Sequence, residues 1–143
     1  MTTAPVPAAT IRDMDETLVR KLAAVMALVA FSLAVTSSLH LAGLVHGRGE
    51  PYEAHDAGIA EAVIGFVLAA AAVAMVRAPA RARNVGLAAT GFAIVGFGVG
   101  LTITAQGGHA PDIAYHLAVL PVLLATFLVL LRGRRIPQPS ISR

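Results

Sequence analysis

The chain has 143 residues, of which 57% are hydrophobic and 13% charged, and it contains no cysteine. Ordinary soluble domains carry about a quarter charged residues, and a soluble fold of this length cannot bury so much apolar surface. The composition therefore excludes an ordinary soluble protein. The lack of cysteine excludes disulfides, thiolate metal sites, cysteine-held iron–sulfur clusters and cysteine nucleophiles. The richness in Ala, Val and Arg is typical of a bacterium with a GC-rich genome.

Four apolar runs are each long enough to cross about 30 Å of hydrocarbon as a helix, which takes roughly 20 residues. They cover residues 22–45, 56–76, 85–105 and 112–131. The connections between them are too short to hold a separate domain. The sequence thus predicts an all-α, integral membrane four-helix bundle over residues 22–131. An N-terminal segment, residues 1–21, precedes it, and a C-terminal tail, residues 132–143, follows it.

The basic residues are distributed unevenly around these runs. Ten of the 11 Lys and Arg lie before the first run, between the second and third, or after the fourth: Arg12, Arg20, Lys21, Arg77, Arg81, Arg83, Arg132, Arg134, Arg135 and Arg143. Only Arg48 lies in the first loop. The positive-inside rule therefore predicts a multi-pass protein of the inner (plasma) membrane with both termini in the cytoplasm. This placement also explains the formal net charge of +3 without a nucleic-acid partner.

The third run is rich in glycine, and Gly96 and Gly100 form a GxxxG pair. Small residues let helices approach closely in lipid. We therefore expect this helix to pack against its neighbours, or to form a contact in a homo-oligomer or a larger membrane complex. The run Gly96–Gly100 does not predict a nucleotide site, because that would require a preceding strand and a βαβ unit.

Two histidines and one carboxylate lie four or five residues inside the outer ends of the predicted spans, at similar depth. His40, Glu61 and His116 each lie roughly 6–8 Å below the predicted outer boundary, at 1.5 Å per residue. Ionisable groups within a span rarely face lipid and commonly mark a functional site. These three residues are therefore the central candidates, and the alternative is that they only hold the bundle together. The other histidines are interpreted as solvated loop residues: His46, His55 and His109.

Three further polar residues are predicted to support this layer. On the third helix, Thr102 lies slightly nearer the outer boundary than this layer, and Gln106 lies one turn above Thr102. Asp112 precedes His116 by four residues, so its carboxylate can accept a hydrogen bond from the imidazole on the same helix face.

Two histidines and one carboxylate suit a divalent metal, with His40, Glu61 and His116 as its ligands. A b-type haem between His40 and His116 is the other cofactor candidate. Two alternatives need no cofactor: a component of proton- or cation-coupled transport, and an accessory or assembly subunit of a larger membrane complex. No serine or threonine stands beside a histidine in a recognisable catalytic motif, so the sequence does not predict an enzyme.

Overall fold

The computed structural model describes residues 15–133. They form four long helices, α1 (Glu16–Leu41), α2 (Ala54–Arg77), α3 (Ala82–Gly107) and α4 (Ala110–Arg132), with a short 3-10 helix, Pro79–Arg81, before α3. All four are long and apolar enough to cross a membrane, so the predicted all-α fold with four helices of spanning length is confirmed for the described residues. Most of the predicted N-terminal segment and C-terminal tail lies outside the described residues, together with Arg12, Arg134, Arg135 and Arg143.

Local sequence signals set both ends of α1. The Asp15 carboxylate accepts a hydrogen bond from the main-chain N–H of Thr17 at 3.1 Å, a standard N-cap. At the other end Gly43 adopts a φ of +67°. The N–H of Gly43 donates to the carbonyl of His40, and the N–H of the next residue donates five residues back. This Schellman motif ends α1 four residues before the predicted limit at position 45. His40 therefore lies in the last turn of α1 rather than five residues inside the helix end.

Consecutive helices run antiparallel, and glycines set the close approaches. Gly58 of α2 faces His40 of α1, and Gly65 faces Leu33 one or two turns further along. The α2–α3 and α3–α4 pairs show the same antiparallel register. By contrast, α1 and α4 make little contact. The molecule is thus an up-down-up-down bundle, in which a 2.8 Å hydrogen bond between the hydroxyl groups of Ser32 and Tyr115 also joins α1 to α4.

The glycines of α3 contact helices of the same chain. A Cβ placed on Gly96 would lie 2.6 Å from Cδ1 of Ile64 in α2, and one placed on Gly100 would lie 2.7 Å from Nε2 of His116 in α4. The two glycines of the GxxxG pair therefore allow close approach of two different helices, α2 at Gly96 and α4 at Gly100. Gly98 has nothing within 4 Å of such a Cβ.

Apolar side chains fill the interior and cover the outer surface. The most completely buried large side chains are Val19, Met26, Leu33, Leu68, Met75, Thr90, Phe97, Leu123 and Leu130. Large apolar side chains also face outward along the helices, with Leu28, Phe31, Phe66 and Val95 each at least 66% exposed. An outward apolar surface of this kind suits lipid rather than water.

The two ends of the bundle differ in charge. At one end, called here the basic end, α1 and α3 begin and α2 and α4 end. It carries six of the seven basic residues that the described range contains: Arg20, Lys21, Arg77, Arg81, Arg83 and Arg132. At the opposite end, called here the polar end, lie the α1–α2 and α3–α4 connections and all the histidines.

Candidate functional site

A buried contact between an imidazole and a carboxylate joins α1 to α2 at the polar end. Nδ1 of His40 lies 2.8 Å from Oε2 of Glu61, and the two side chains are 2% and 10% exposed. Gly58 allows this approach, because a Cβ there would lie 3.0 Å from the Cβ of His40. Ser37 holds the same two helices together through a 2.7 Å hydrogen bond to the Gly58 carbonyl. Two of the three central residues predicted from the sequence are thus neighbours.

Tyr52, in the α1–α2 connection, links this pair to α4. Its hydroxyl oxygen lies 2.8 Å from Nε2 of His40, and its O–H donates to Oδ2 of Asp112 at 2.8 Å. The residue is buried although it belongs to no helix. Asp112 also approaches Nε2 of His40, at 3.4 Å. Glu61, His40, Tyr52 and Asp112 together are called here the polar network.

The α1–α2 connection, which carries Tyr52, is hydrogen-bonded to the start of the α3–α4 connection at the same end of the bundle. The Arg48 N–H donates to the carbonyl of Gly107 at 2.6 Å, and its guanidinium Nε donates to the carbonyl of Gly108 at 2.9 Å. A Cβ atom at position 47 would overlap the Tyr52 ring, so glycine is needed there for the ring to pack. The sequence indicated neither Tyr52 nor this role for Arg48, since a loop residue has no helical periodicity to mark its burial. An isolated aromatic residue in a glycine-rich polar loop was the only available signal.

The hydrogen-bond directions in the polar network follow from counting protons. Burial raises the pKa of the Tyr52 hydroxyl, and the hydrogen bond to Asp112 and the nearby carboxylate charges raise it further. The hydroxyl therefore keeps its single proton, which it donates to Asp112. Its oxygen is then the acceptor for His40, so Nε2 of His40 carries a hydrogen. The 2.8 Å contact between Nδ1 of His40 and Glu61 must hold one further proton, shared between an imidazole and a carboxylate.

His116 lies apart from this pair. Its Nδ1 is 2.8 Å from the main-chain carbonyl of Asp112, which accepts the bond, and its ring packs on Phe97 with centroids 5.1 Å apart. The predicted bond between the Asp112 carboxylate and the imidazole is wrong, because that carboxylate binds Tyr52 and His40 across the helices instead. Within residues 15–133, no hydrogen bond joins His116 to Glu61 or His40.

The predicted supporting residues of α3 do not reach the network. Thr102 donates to the carbonyl of Val99 at 2.7 Å, and Gln106 donates to the carbonyl of Thr102 at 2.8 Å. Both side chains are exposed and their bonds stay within α3. The three histidines interpreted as solvated loop residues are exposed: His46, His55 and His109. Of these, His55 lies in the first turn of α2 rather than in the loop.

The polar network does not have the shape of a metal site. The two carboxylates, Glu61 and Asp112, lie at opposite ring nitrogens of His40, so the three groups do not converge on one point. In the described part of the chain, no group of three or more His, Asp or Glu side chains is placed to hold a metal ion. A metal or a haem iron would have to displace a hydrogen-bond partner from one of the ring nitrogens of His40.

A cleft of about 590 Å³ opens between α2 and α3 beside the network. Glu61 and His116 line its inner part, and Glu53 and Asp56 lie near its mouth at the polar end. Its walls are mainly apolar side chains, among them Leu33, Ile64, Phe92, Phe97, Val99 and Ile103.

Comparison of the chain with protein-family models, curated proteins and solved structures finds no match. Function is therefore inferred from the geometry of the polar network and the cleft.

Proposed function

We propose that this small multi-pass membrane protein binds and releases a proton at the Glu61–His40 pair, as a component of proton- or cation-coupled transport. The main support for this proposal is the 2.8 Å contact between Nδ1 of His40 and Oε2 of Glu61. The other hydrogens of the network are already placed, one on the Tyr52 hydroxyl and one on Nε2 of His40. A proton in this contact can be bound either to Nδ1 of His40 or to Oε2 of Glu61. Buried carboxylates and histidines in spans commonly form proton relays.

The network also provides a route between this pair and water. Tyr52 and Asp112 continue the chain of hydrogen bonds from His40 towards the polar end. The Asp112 side chain is 14% exposed, so it can exchange protons with solvent. The basic end offers no comparable path in the described residues, since Met26, Leu68 and Met75 are fully buried there or near the middle. Access from one side supports a proton-binding component rather than a continuous channel.

The basic residues support an orientation for this access. By the positive-inside rule, we expect the basic end and both termini to lie in the cytoplasm. The polar end then faces the outside of the cell, and the protein would sense or use protons from that side.

The hydrogen bonding of His40 favours proton exchange over the cofactor alternatives. Both ring nitrogens already have partners, Glu61 on one side and Tyr52 on the other. A metal ligand or axial haem ligand needs one free ring nitrogen. The second histidine of the predicted cofactor pair, His116, is committed to a main-chain carbonyl and packs on Phe97.

Infrared difference spectroscopy of the full chain in lipid tests the proposal. At high pH the pair should lose its shared proton, and acidification should return it and shift the Glu61 carboxylate stretch towards the C=O band of a buried protonated carboxyl group. The Glu61→Gln variant should lack this band. The matched Glu50→Gln variant, which alters an exposed carboxylate in the same end of the molecule, should retain it. An unchanged band in Glu61→Gln would contradict proton exchange at this pair.

A further inference from the structure

We infer that the cleft between α2 and α3 binds a lipophilic organic cation, and that its binding releases a proton from the Glu61–His40 pair. This inference rests on the proposed proton exchange at Glu61. It adds a ligand class and a second site to that function.

The size and walls of the cleft suit a small organic molecule. Its volume of about 590 Å³ lies within the range of roughly 300–1,000 Å³ that is usual for small-molecule sites. The walls are mostly apolar, and Phe92 and Phe97 supply aromatic surface. Aromatic faces attract cations through their ring electrons, so an apolar ligand with a positive charge fits both features.

The charge of the lining fixes the sign of the ligand. Three carboxylates line the cleft, those of Glu53, Asp56 and Glu61, and among the described residues no Lys or Arg does so. An anionic or phosphate-bearing ligand would be repelled by this arrangement. Lipid headgroups carry phosphate, so the lining also disfavours a phospholipid as the occupant.

The position of Glu61 couples the cleft to the polar network. Its carboxylate borders the cleft and also forms the hydrogen bond to His40. With the shared proton, the Glu61–His40 pair is neutral overall, and without it the pair carries one negative charge. A monovalent cation entering the cleft favours the negative state, so one proton leaves towards the polar end for each cation bound.

Further titratable groups surround the Glu61–His40 pair, including Tyr115 of α4. His40 faces Glu61 from α1, Tyr52 from the α1–α2 connection, and Asp112 and His116 lie on α4. In residues 82–107, α3 contributes no acidic or histidine side chain to the cleft. The carboxylate of Asp112 attracts an incoming cation and equally attracts the proton of the pair, so the exchange depends on the contact of Glu61 with the cleft.

Binding of tetraphenylphosphonium to the full chain in detergent, measured by calorimetry at several pH values, tests the inference. We expect affinity to rise by up to about tenfold per pH unit where one proton is released. Binding in two buffers of different protonation enthalpy should show release of about one proton per cation. Uncharged triphenylphosphine oxide should bind at least about tenfold more weakly.

Two pairs of variants separate charge from shape. Glu61→Gln should weaken binding at least about tenfold and remove its pH dependence, whereas Glu50→Gln should bind as the wild type does. Ala60→Phe should fill the cleft without touching the polar network, because Ala60 lines the cleft and is exposed. Ala62→Phe places the same side chain on the other side of α2, outside the cleft, and should leave binding intact.

Equal binding of the cation and the uncharged phosphine oxide, or full binding by Ala60→Phe, would overturn the inference. If the cation fails to bind while the carboxyl band of Glu61 still responds to pH, the cleft inference fails and the proton-exchange proposal stands. If the cation binds with no proton release and Glu61→Gln retains the wild-type carboxyl band, both fail.

Discussion

At the scale of single residues, Tyr52 determines the directions of the hydrogen bonds in the polar network. Because its hydroxyl donates to Asp112, it can only accept from His40, and this leaves Nδ1 of His40 to share a proton with Glu61. The similar depth of His40 and Glu61 along the predicted spans was enough to predict that these two residues are neighbours. This depth pattern could not identify Tyr52, because Tyr52 lies in a loop. The predicted partner of Asp112 was wrong because residue spacing within one helix does not reveal a hydrogen bond to a loop side chain.

Replacing Tyr52 by Phe should destabilise the folded protein by about 1–3 kcal/mol, since Nε2 of His40 and the Asp112 carboxylate each lose a buried hydrogen bond. The pKa of Tyr52 is raised on folding, so its stabilising contribution is complete below the ordinary tyrosine value of 10 and is lost as the pH rises above it. Unfolding free energies in detergent at pH 7 and 11 would measure this. The difference between wild type and Tyr52→Phe should shrink at the higher pH, and a constant difference would contradict the assigned role.

Asp112 and Gln106 offer a contrast between a residue inside the network and one outside it. Asp112→Asn should lower stability by about 1–3 kcal/mol, because it weakens the acceptor for Tyr52 in a buried site. Gln106→Ala should change stability by less than about 0.5 kcal/mol, because its side chain is exposed and bonds only within α3. The same unfolding assay compares them. Equal losses would restore Gln106 to the supporting role that the sequence suggested.

At the scale of helices, glycines set the distances on which the site depends. Gly58 brings α1 against α2 at His40, and Gly100 makes room for His116. Hydropathy identified all four helices, and the glycine content of α3 correctly indicated close packing. Which helix each glycine meets was not predictable, because a GxxxG spacing does not identify the neighbour. The end of α1 was set too late, although Gly43 is a typical helix-terminating residue.

Gly58→Ala should therefore disturb the site more than Gly98→Ala. The added methyl group at position 58 would lie 3.0 Å from the Cβ of His40 and from Cγ of Leu41, and overpacking of this kind costs about 1–3 kcal/mol. At position 98 nothing lies within 4 Å, and alanine favours the helix. Loss of stability and a changed carboxyl infrared band should appear in Gly58→Ala only. Identical behaviour of the two variants would show that the α1–α2 approach is not critical.

At the scale of the whole molecule, the bundle separates its charges. Six basic residues of the described range lie at the basic end, while all five histidines lie at the polar end. This separation was visible in the sequence, since it depends only on which loop each residue occupies. The fastening of the two polar-end connections by Arg48 was not, because contacts between distant loops leave no local pattern.

The orientation can be tested by labelling, because the chain contains no cysteine. A membrane-impermeant maleimide applied to intact cells should label His46→Cys, in the first connection, and should leave Arg81→Cys unlabelled until the membrane is opened. Both positions are exposed, so access alone decides the result. Labelling of Arg81→Cys from outside would reverse the proposed topology.

The shared proton can be observed by ¹⁵N NMR of the full chain with labelled histidine, in which the signals of His40 are identified by their loss in His40→Asn. We expect a hydrogen on Nε2 of His40 and a second proton at Nδ1 that is shared with Glu61. Glu61→Gln should change the Nδ1 signal and leave that of the exposed His55 unaltered. A His40 with a bare Nε2, or a Nδ1 signal that is insensitive to Glu61→Gln, would contradict a shared proton in this pair.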